Sequence, residues 1–263
     1  MIRAQSDGRL FTAVAVFLVA LAWLALLVWG RSPYGSYLHH DQLGRLHIGY
    51  DAAFIKQAFL FLTGWSLMTV AMMLPATLPL VILFRTITRA RADRAQLTVL
   101  LVVGYLAVWA CFGVVAHTAD LGLHRGVSAW PWLDNHSWLI GAAPLLLAGG
   151  YQFTRLKYIC LDKCRSPYSF IIEHWRGGNP KTQAIGLGIH HGIFCVGCCW
   201  SLMLLMFAVG VGNLAWMLGL AAIMGLERNV SWGKKLSAPL GGILLVAGFT
   251  VLVLGGSTGA CAC

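Results

Sequence analysis

The sequence predicts an all-α fold: a polytopic membrane bundle of about seven transmembrane helices, with the N-terminus cytoplasmic and the C-terminus outside. Three observations predict it. The chain is 59% hydrophobic and only 11% charged, with a mean hydropathy of +0.75, a composition that belongs to membrane proteins and not to soluble domains. Its apolar residues gather into runs near the ~20 residues that a bilayer-spanning helix needs. Its basic residues gather into alternate connections between those runs, as the positive-inside rule requires.

The segments follow in order as 10–30, 58–84, 97–116, 138–156, 187–209, 211–227 and 239–256. The first begins with Arg3 and Arg9 but has no small-residue cleavage site, so it reads as a retained helix and not a signal peptide. The second carries Met68, Met72 and Met73 ahead of Pro75. That proline removes a backbone donor and can kink a helix within the bilayer. The third holds a single cysteine, Cys111, read as a packing thiol. The fifth and sixth are separated by a tight turn near Gly210 and Gly212, and the seventh is rich in glycine. No soluble domain interrupts the pattern, so residues 1–263 read as one integral membrane domain.

Fifteen of the 19 basic residues fall at the N-terminus and in the 2–3, 4–5 and 6–7 connections. The other side holds only Arg31, Arg45, Lys56 and Arg125. This asymmetry sets the orientation and accounts for the net charge of +10. The basic residues read as topology signals in contact with anionic lipid; no nucleic-acid motif accompanies them. His39, His40, Asp41 and His47 then lie outside, as do His117, Asp120, His124, Asp134, His136 and the tail cysteines Cys261 and Cys263. Cys160 and Cys164 lie in the inside 4–5 connection.

The chemistry is concentrated between His191 and Met206. At about 100° per residue, His191 and Cys198 nearly superimpose. Cys195, Cys199, Met203 and Met206 share the same broad face. One helix thus carries imidazole, thiols and thioethers through the bilayer, with the thiols toward the inside half. Such soft ligands select Cu(I) or, without the thioethers, zinc. His190 points a quarter turn or more away and is set aside. Met68 and Met72, one turn apart, form a second soft cluster with Met73. Cys160 and Cys164, spaced i, i+4, share a face if helical. Met217 and Glu227 on the sixth segment are secondary candidates, with His39, His40, Met206, Cys261 and Cys263. Glu227 is either an acid at membrane depth, where a functional role is the default, or a headgroup-level residue beside Arg228. Trp200 reads as packing or a lid. Gly188, Gly192 and Gly197 permit close helix approach, which would help the second helix meet the fifth. Trp65-Ser-Leu-Met68 recurs as Trp200-Ser-Leu-Met203, an echo that an inverted repeat would produce.

Taken together these motifs resemble a family of uncharacterised bacterial integral membrane proteins described as predicted metal-binding. The resemblance runs through Trp65-x-x-Met68, Ala71-Met-Met-Leu-Pro75, Tyr151-Gln152 and Leu156-Lys157-x-x-Cys160-Leu-x-x-Cys164-Arg165-x-Pro167. It is strongest in His191-Gly-x-x-Cys195-x-Gly-Cys198-Cys199-Trp200-x-Leu-Met203, and Gly210, Asn213, Trp216-Met217 and Glu227 also fit. Arg155 stands where the family pattern has proline. The resemblance implies a metal-binding protein of the bacterial inner membrane, without fixing the metal or a reaction.

Copper handling is the leading expectation: Cu(I) bound, with zinc as the alternative metal, for transport or for delivery to an extracytoplasmic copper protein. The metal ligands expected are Cys160, Cys164, His191, Cys195, Cys198, Cys199, Met203, Met68, Met72 and Met73. No catalytic residues are assigned, and the chain reads as a binding protein more than an enzyme. Two alternatives remain. One is a transmembrane thiol–disulfide relay using Cys195-Val-Gly-Cys198 with the inner and outer cysteine pairs. The other is a metal-bearing subunit of a larger copper or redox complex.

Overall fold

The computed structural model describes residues 2–32, 52–129, 136–175, 178–209 and 214–259. Among these residues the regular elements are all helices. The long ones are α1 (Ile2–Gly30), α2 (Ala52–Ile87) and α3 (Arg94–Ala129). After α4 (Ser137–Tyr151) come two short helices, α5 (Arg155–Arg165) and α6 (Pro167–His174). Then follow α7 (Pro180–Val209), α8 (Leu214–Asn229), a 3-10 turn (Gly233–Leu236) and α9 (Ser237–Gly259).

All seven expected segments contain a helix, but not all have the length expected of them. Among the described residues, five stretches are long and apolar enough to cross a membrane: Leu10–Gly30, Ala58–Ile87, Arg94–Leu123, Pro180–Met206 and Gly233–Gly255. The helices α4 and α8 have 15 and 16 residues. At ~1.5 Å per residue they fall short of the ~30 Å hydrocarbon core. The fourth segment, expected to run to residue 156, stops at Tyr151. There the chain turns, and Thr154 caps a new helix by accepting from the Lys157 backbone N–H at 3.3 Å. A threonine before a helical run supplies one of the acceptors that the first turn lacks. The third helix is longer than expected, so His117 is a buried helical residue and not part of an outer loop.

The connection between α4 and α7, read from sequence as a loop, is helical. Cys160 and Cys164 therefore do lie one turn apart, on a helix whose buried residues are Lys157, Cys160 and Leu161. Arg155 is the exposed first residue of α5, a position where proline and other residues fit equally because its N–H needs no intrahelical partner.

The helices pack through small residues. A Cβ on Gly188 would strike the Leu101 carbonyl, one on Gly192 would lie 2.9 Å from Val108 Cβ, and one on Gly104 would lie 2.5 Å from the Ile185 carbonyl. These glycines thus bring α7 against α3, whereas α2 reaches α7 through the side chains of Met73 and Cys199. Gly197 gives way to the Cys160 sulfur of α5. Aromatic side chains join α2 to α3: Trp65 Nε1 donates to the Trp109 carbonyl at 2.8 Å. On the far side α4 runs along α9, where Gly149 faces Leu245 and Gly248 faces Leu146.

The resulting surface is inverted relative to a soluble protein. Phe17, Val28, Phe59, Val115, Val246 and Val253 are exposed, whereas Gln152, Lys157, Glu227 and Arg228 are buried. Apolar side chains outside and paired polar groups inside suit a hydrocarbon surround. Cys111 is exposed on α3 and does not serve as the packing thiol expected of it.

Candidate metal centre

The cysteine stripe lies in the centre of this bundle. Cys195, Cys198 and Cys199 are each no more than 2% exposed, and α7 sets their spacing. Cys198 and Cys199 donate to the Cys195 carbonyl at 3.2 and 2.9 Å, which folds both thiols back along the helix toward Cys195. The three sulfurs then converge on one atom. Arg228 Nη2, from α8, lies 2.9 Å from Cys195 Sγ, 3.2 Å from Cys198 Sγ and 3.1 Å from Cys199 Sγ. Among the described residues no three His, Cys, Asp or Glu side chains are arranged to hold a metal ion. In this conformation a guanidinium nitrogen lies among the thiols.

Other elements complete the surround. The Tyr105 hydroxyl of α3 lies 3.0 Å from Cys195 Sγ. Met73 Sδ of α2 lies 3.9 Å from Cys199 Sγ, and Cys164 Sγ of α5 lies 4.0 Å from Cys198 Sγ. Met68, Met72, Met203, Met206, Met217 and Met224 are buried in the same core, together with Cys160. His191 is also buried, between the rings of Tyr105 and Phe170, and its Nδ1 has no hydrogen-bond partner. His190, on the adjacent position, is exposed and takes no part in this cluster. Three thiols thus lie around one guanidinium nitrogen, flanked by a thioether and a fourth thiol, and these are soft donor types.

A buried guanidinium is tolerated only with charge compensation and filled hydrogen bonds. The carboxylate beside it in sequence is committed elsewhere. Glu227 is 2% exposed and accepts from Lys157 Nζ at 2.8 and 3.1 Å and from Ser237 Oγ at 2.6 Å. Lys157 also donates to the Gln152 side chain. Glu227 is therefore a buried, ion-paired carboxylate inside the bundle. Arg228, read from sequence as a topology charge, is buried too. Arg165 donates to the carbonyls of Glu227, Val230 and Ser231, closing the C-terminal end of α8.

In α5, outside the membrane-length stretches, burial and then the nearby Cys198 push the Cys160 thiol up from its ordinary value. Contact with Cys198, and then burial, hold the Cys164 thiol well above the usual range.

Sequence reading missed Arg228, Tyr105 and Lys157. A signal for Arg228 was present. Counting about 100° per residue, Met217, Met224 and Arg228 share one face of α8, so the arginine continues a sulfur-bearing stripe. Of the outer candidates, His39, His40, Asp41, His47, Asp134, Cys261 and Cys263 lie outside the described residues, as do Gly210 and Asn213. His117 stacks on Phe61 with ring centroids 4.5 Å apart. Trp200 packs edge-on against Tyr151, whose hydroxyl donates to the Gly197 carbonyl.

A family model described as PpoB2, a copper chaperone, matches residues 62–251, a stretch that contains every residue of the thiol cluster. No curated protein and no solved structure gives a significant match.

Proposed function

This chain belongs to the PpoB2 copper-chaperone family, and from that premise we propose that it binds Cu(I) at Cys195, Cys198 and Cys199 and passes it to a partner copper protein. The observation that carries the reading is the convergence of three thiols on one buried cationic nitrogen at 2.9–3.2 Å. Thiolate and thioether sulfur favour Cu(I) over harder ions.

In this reading Arg228 is the stand-in cation. Metal–thiolate bonds are shorter than these contacts, about 2.3 Å in zinc sites, so the thiols close in and the guanidinium withdraws when metal enters. The positive charge among the sulfurs is exchanged for another, and the buried charge balance is kept. Release is the reverse: Arg228 returns as the ion leaves. Met73 and Cys164, at 3.9 and 4.0 Å from members of the trio, supply the next sulfurs for a hand-off by ligand exchange. Met68, Met72, Met203 and Met206 extend the soft surround, and His191 offers its unpartnered nitrogen. Zinc, which prefers four ligands, could draw on Cys164 as the fourth.

The protein sits in the bacterial inner membrane, with α5 and α6 on the cytoplasmic side with most of the basic residues. The five long apolar helices and the inverted surface support this placement. The helices α4 and α8 pack as shorter members of the bundle.

Metal analysis of the purified full-length protein tests the proposal, beside C195S/C198S/C199S. Stoichiometric copper that falls away in the variant is expected. Zinc in its place would change the cargo. No transition metal, with a redox-dependent gel shift that traps two cysteines, would replace this reading with a thiol–disulfide relay.

A further inference from the structure

A pair of imidazole side chains lies apart from the thiols. His174 ends α6, and His190 stands on the exposed face of α7; their ring centroids are 4.8 Å apart, tilted by 48°. Each ring is anchored on its own helix. His174 Nδ1 bonds the Phe170 carbonyl at 2.9 Å, and His190 Nδ1 bonds the Gly186 carbonyl at 2.7 Å. A carbonyl only accepts, so both Nδ1 atoms carry the hydrogen. In the neutral ring each Nε2 then keeps its lone pair. A backbone carbonyl on one ring nitrogen is the arrangement that orients metal-ligating imidazoles. Here it is made twice, on two elements that bring the rings side by side.

The pair also connects inward. The Phe170 ring stacks on His174 at 4.4 Å and meets His191 edge-on at 5.5 Å. His191 follows His190 in the chain but faces the core, with Nδ1 unpartnered. It packs on Tyr105, whose hydroxyl touches Cys195 Sγ at 3.0 Å. A half-buried and an exposed imidazole thus lead to a buried imidazole and then to the thiols.

We propose that His174 and His190 form a docking site for Cu(I), at which the ion is held by two imidazoles on its way to or from the thiol cluster. Two nitrogen ligands satisfy a low-coordinate monovalent ion but leave zinc, which prefers four ligands, incompletely held. Weak two-ligand capture suits a site that must give up its ion. The route rests on the copper reading above; the histidine site itself is testable without it.

The test uses the reduced full-length protein in detergent, with Cu(I) supplied as its bicinchoninate complex. Loading is followed by loss of the complex's colour. H174A/H190A is expected to reach wild-type stoichiometry but about tenfold more slowly. C195S/C198S/C199S, given Cu(I) in acetonitrile in place of the chelate, is expected to retain weakly bound Cu(I) with nitrogen-only ligation by X-ray absorption, and to lose it when both histidines are also replaced. H190A alone, at an exposed position, gives the same direction and separates the effect from misfolding, with circular dichroism as control. Wild-type loading rates in H174A/H190A, or no histidine-dependent copper in the cysteine variant, overturn the proposal. If the wild-type thiols take no copper while the cysteine variant keeps histidine-dependent copper, the thiol reading fails and the docking site stands.

Discussion

Arg228 Nη2 lies 2.9 Å from Cys195 Sγ, although the two residues are 33 positions apart in the chain. The pair joins the two features that define the site: a stripe of thiols on one helix and a buried cation on the next. A guanidinium that competes with metal for the same sulfurs weakens metal binding by the amount of its own interaction with them.

On the proposed copper reading, replacing this competitor strengthens binding. In R228M the competing charge is gone, and an apolar side chain fills similar volume. Cu(I) affinity is expected to rise by about tenfold, or ~1.4 kcal/mol, with slower release. Competition against a chromogenic Cu(I) chelator measures both.

The Lys157–Glu227 pair behaves differently, because neither partner faces the sulfurs. E227Q leaves a buried ammonium without its carboxylate, which costs about 3–5 kcal/mol. K157M/E227Q removes both charges and is expected to recover most of that loss. A double-mutant cycle from thermal unfolding in detergent reads the coupling directly.

Met73 is expected to contribute less than the cysteines. M73L keeps the volume, at a cost below about 1.5 kcal/mol, but removes the thioether 3.9 Å from Cys199. Its Cu(I) affinity should fall, though by less than in C199S, with the fold intact by circular dichroism.

The glycines of α7 offer a contrast within one helix. G188A places a methyl against the Leu101 carbonyl and is expected to destabilise the bundle by about 1–3 kcal/mol. G186A meets nothing within 4 Å and should stabilise it by about 0.5–1 kcal/mol. Thermal midpoints of the two variants are expected to move in opposite directions.

The α5 thiols set a pH dependence. Cys164 is held well above the ordinary thiol range by its contact with Cys198 and then by burial, and Cys160 is raised by burial first. On raising the pH, the unfolded thiols lose their protons first, so the folded state binds more protons and stability falls with pH. The contribution is whole below the unfolded thiol value of about 8.5 and is lost as pH climbs toward the folded values. C164S, which does not titrate there, should flatten that decline in denaturation measured from neutral to alkaline pH.

Much of the molecule was legible in the chain. Among the described residues, runs of apolar residues located every long helix, because a helix pairs its own backbone groups and so suits a long run of side chains that offer them no partners. The helical period placed Cys195, Cys198 and Cys199 on one face, and the i, i+4 spacing of Cys160 and Cys164 matched the helix they occupy. Periodicity describes one helix at a time, however. It could not tell that the glycines of α7 serve α3, that α4 stops at Tyr151 for a threonine cap, or that Lys157 answers Glu227 across 70 residues.

Arg228 shows the division most clearly. By itself, an arginine at the end of an apolar helix reads as a headgroup anchor, since a lone charge prefers water. Only the packing of α8 against α7 supplies the sulfurs that make its burial tolerable. The sequence determined the helices and the soft side chains that their faces carry. Tertiary structure decided which faces meet and which charges are answered inside the bundle, because charge compensation and close approach are properties of pairs of helices that no single helix's pattern contains.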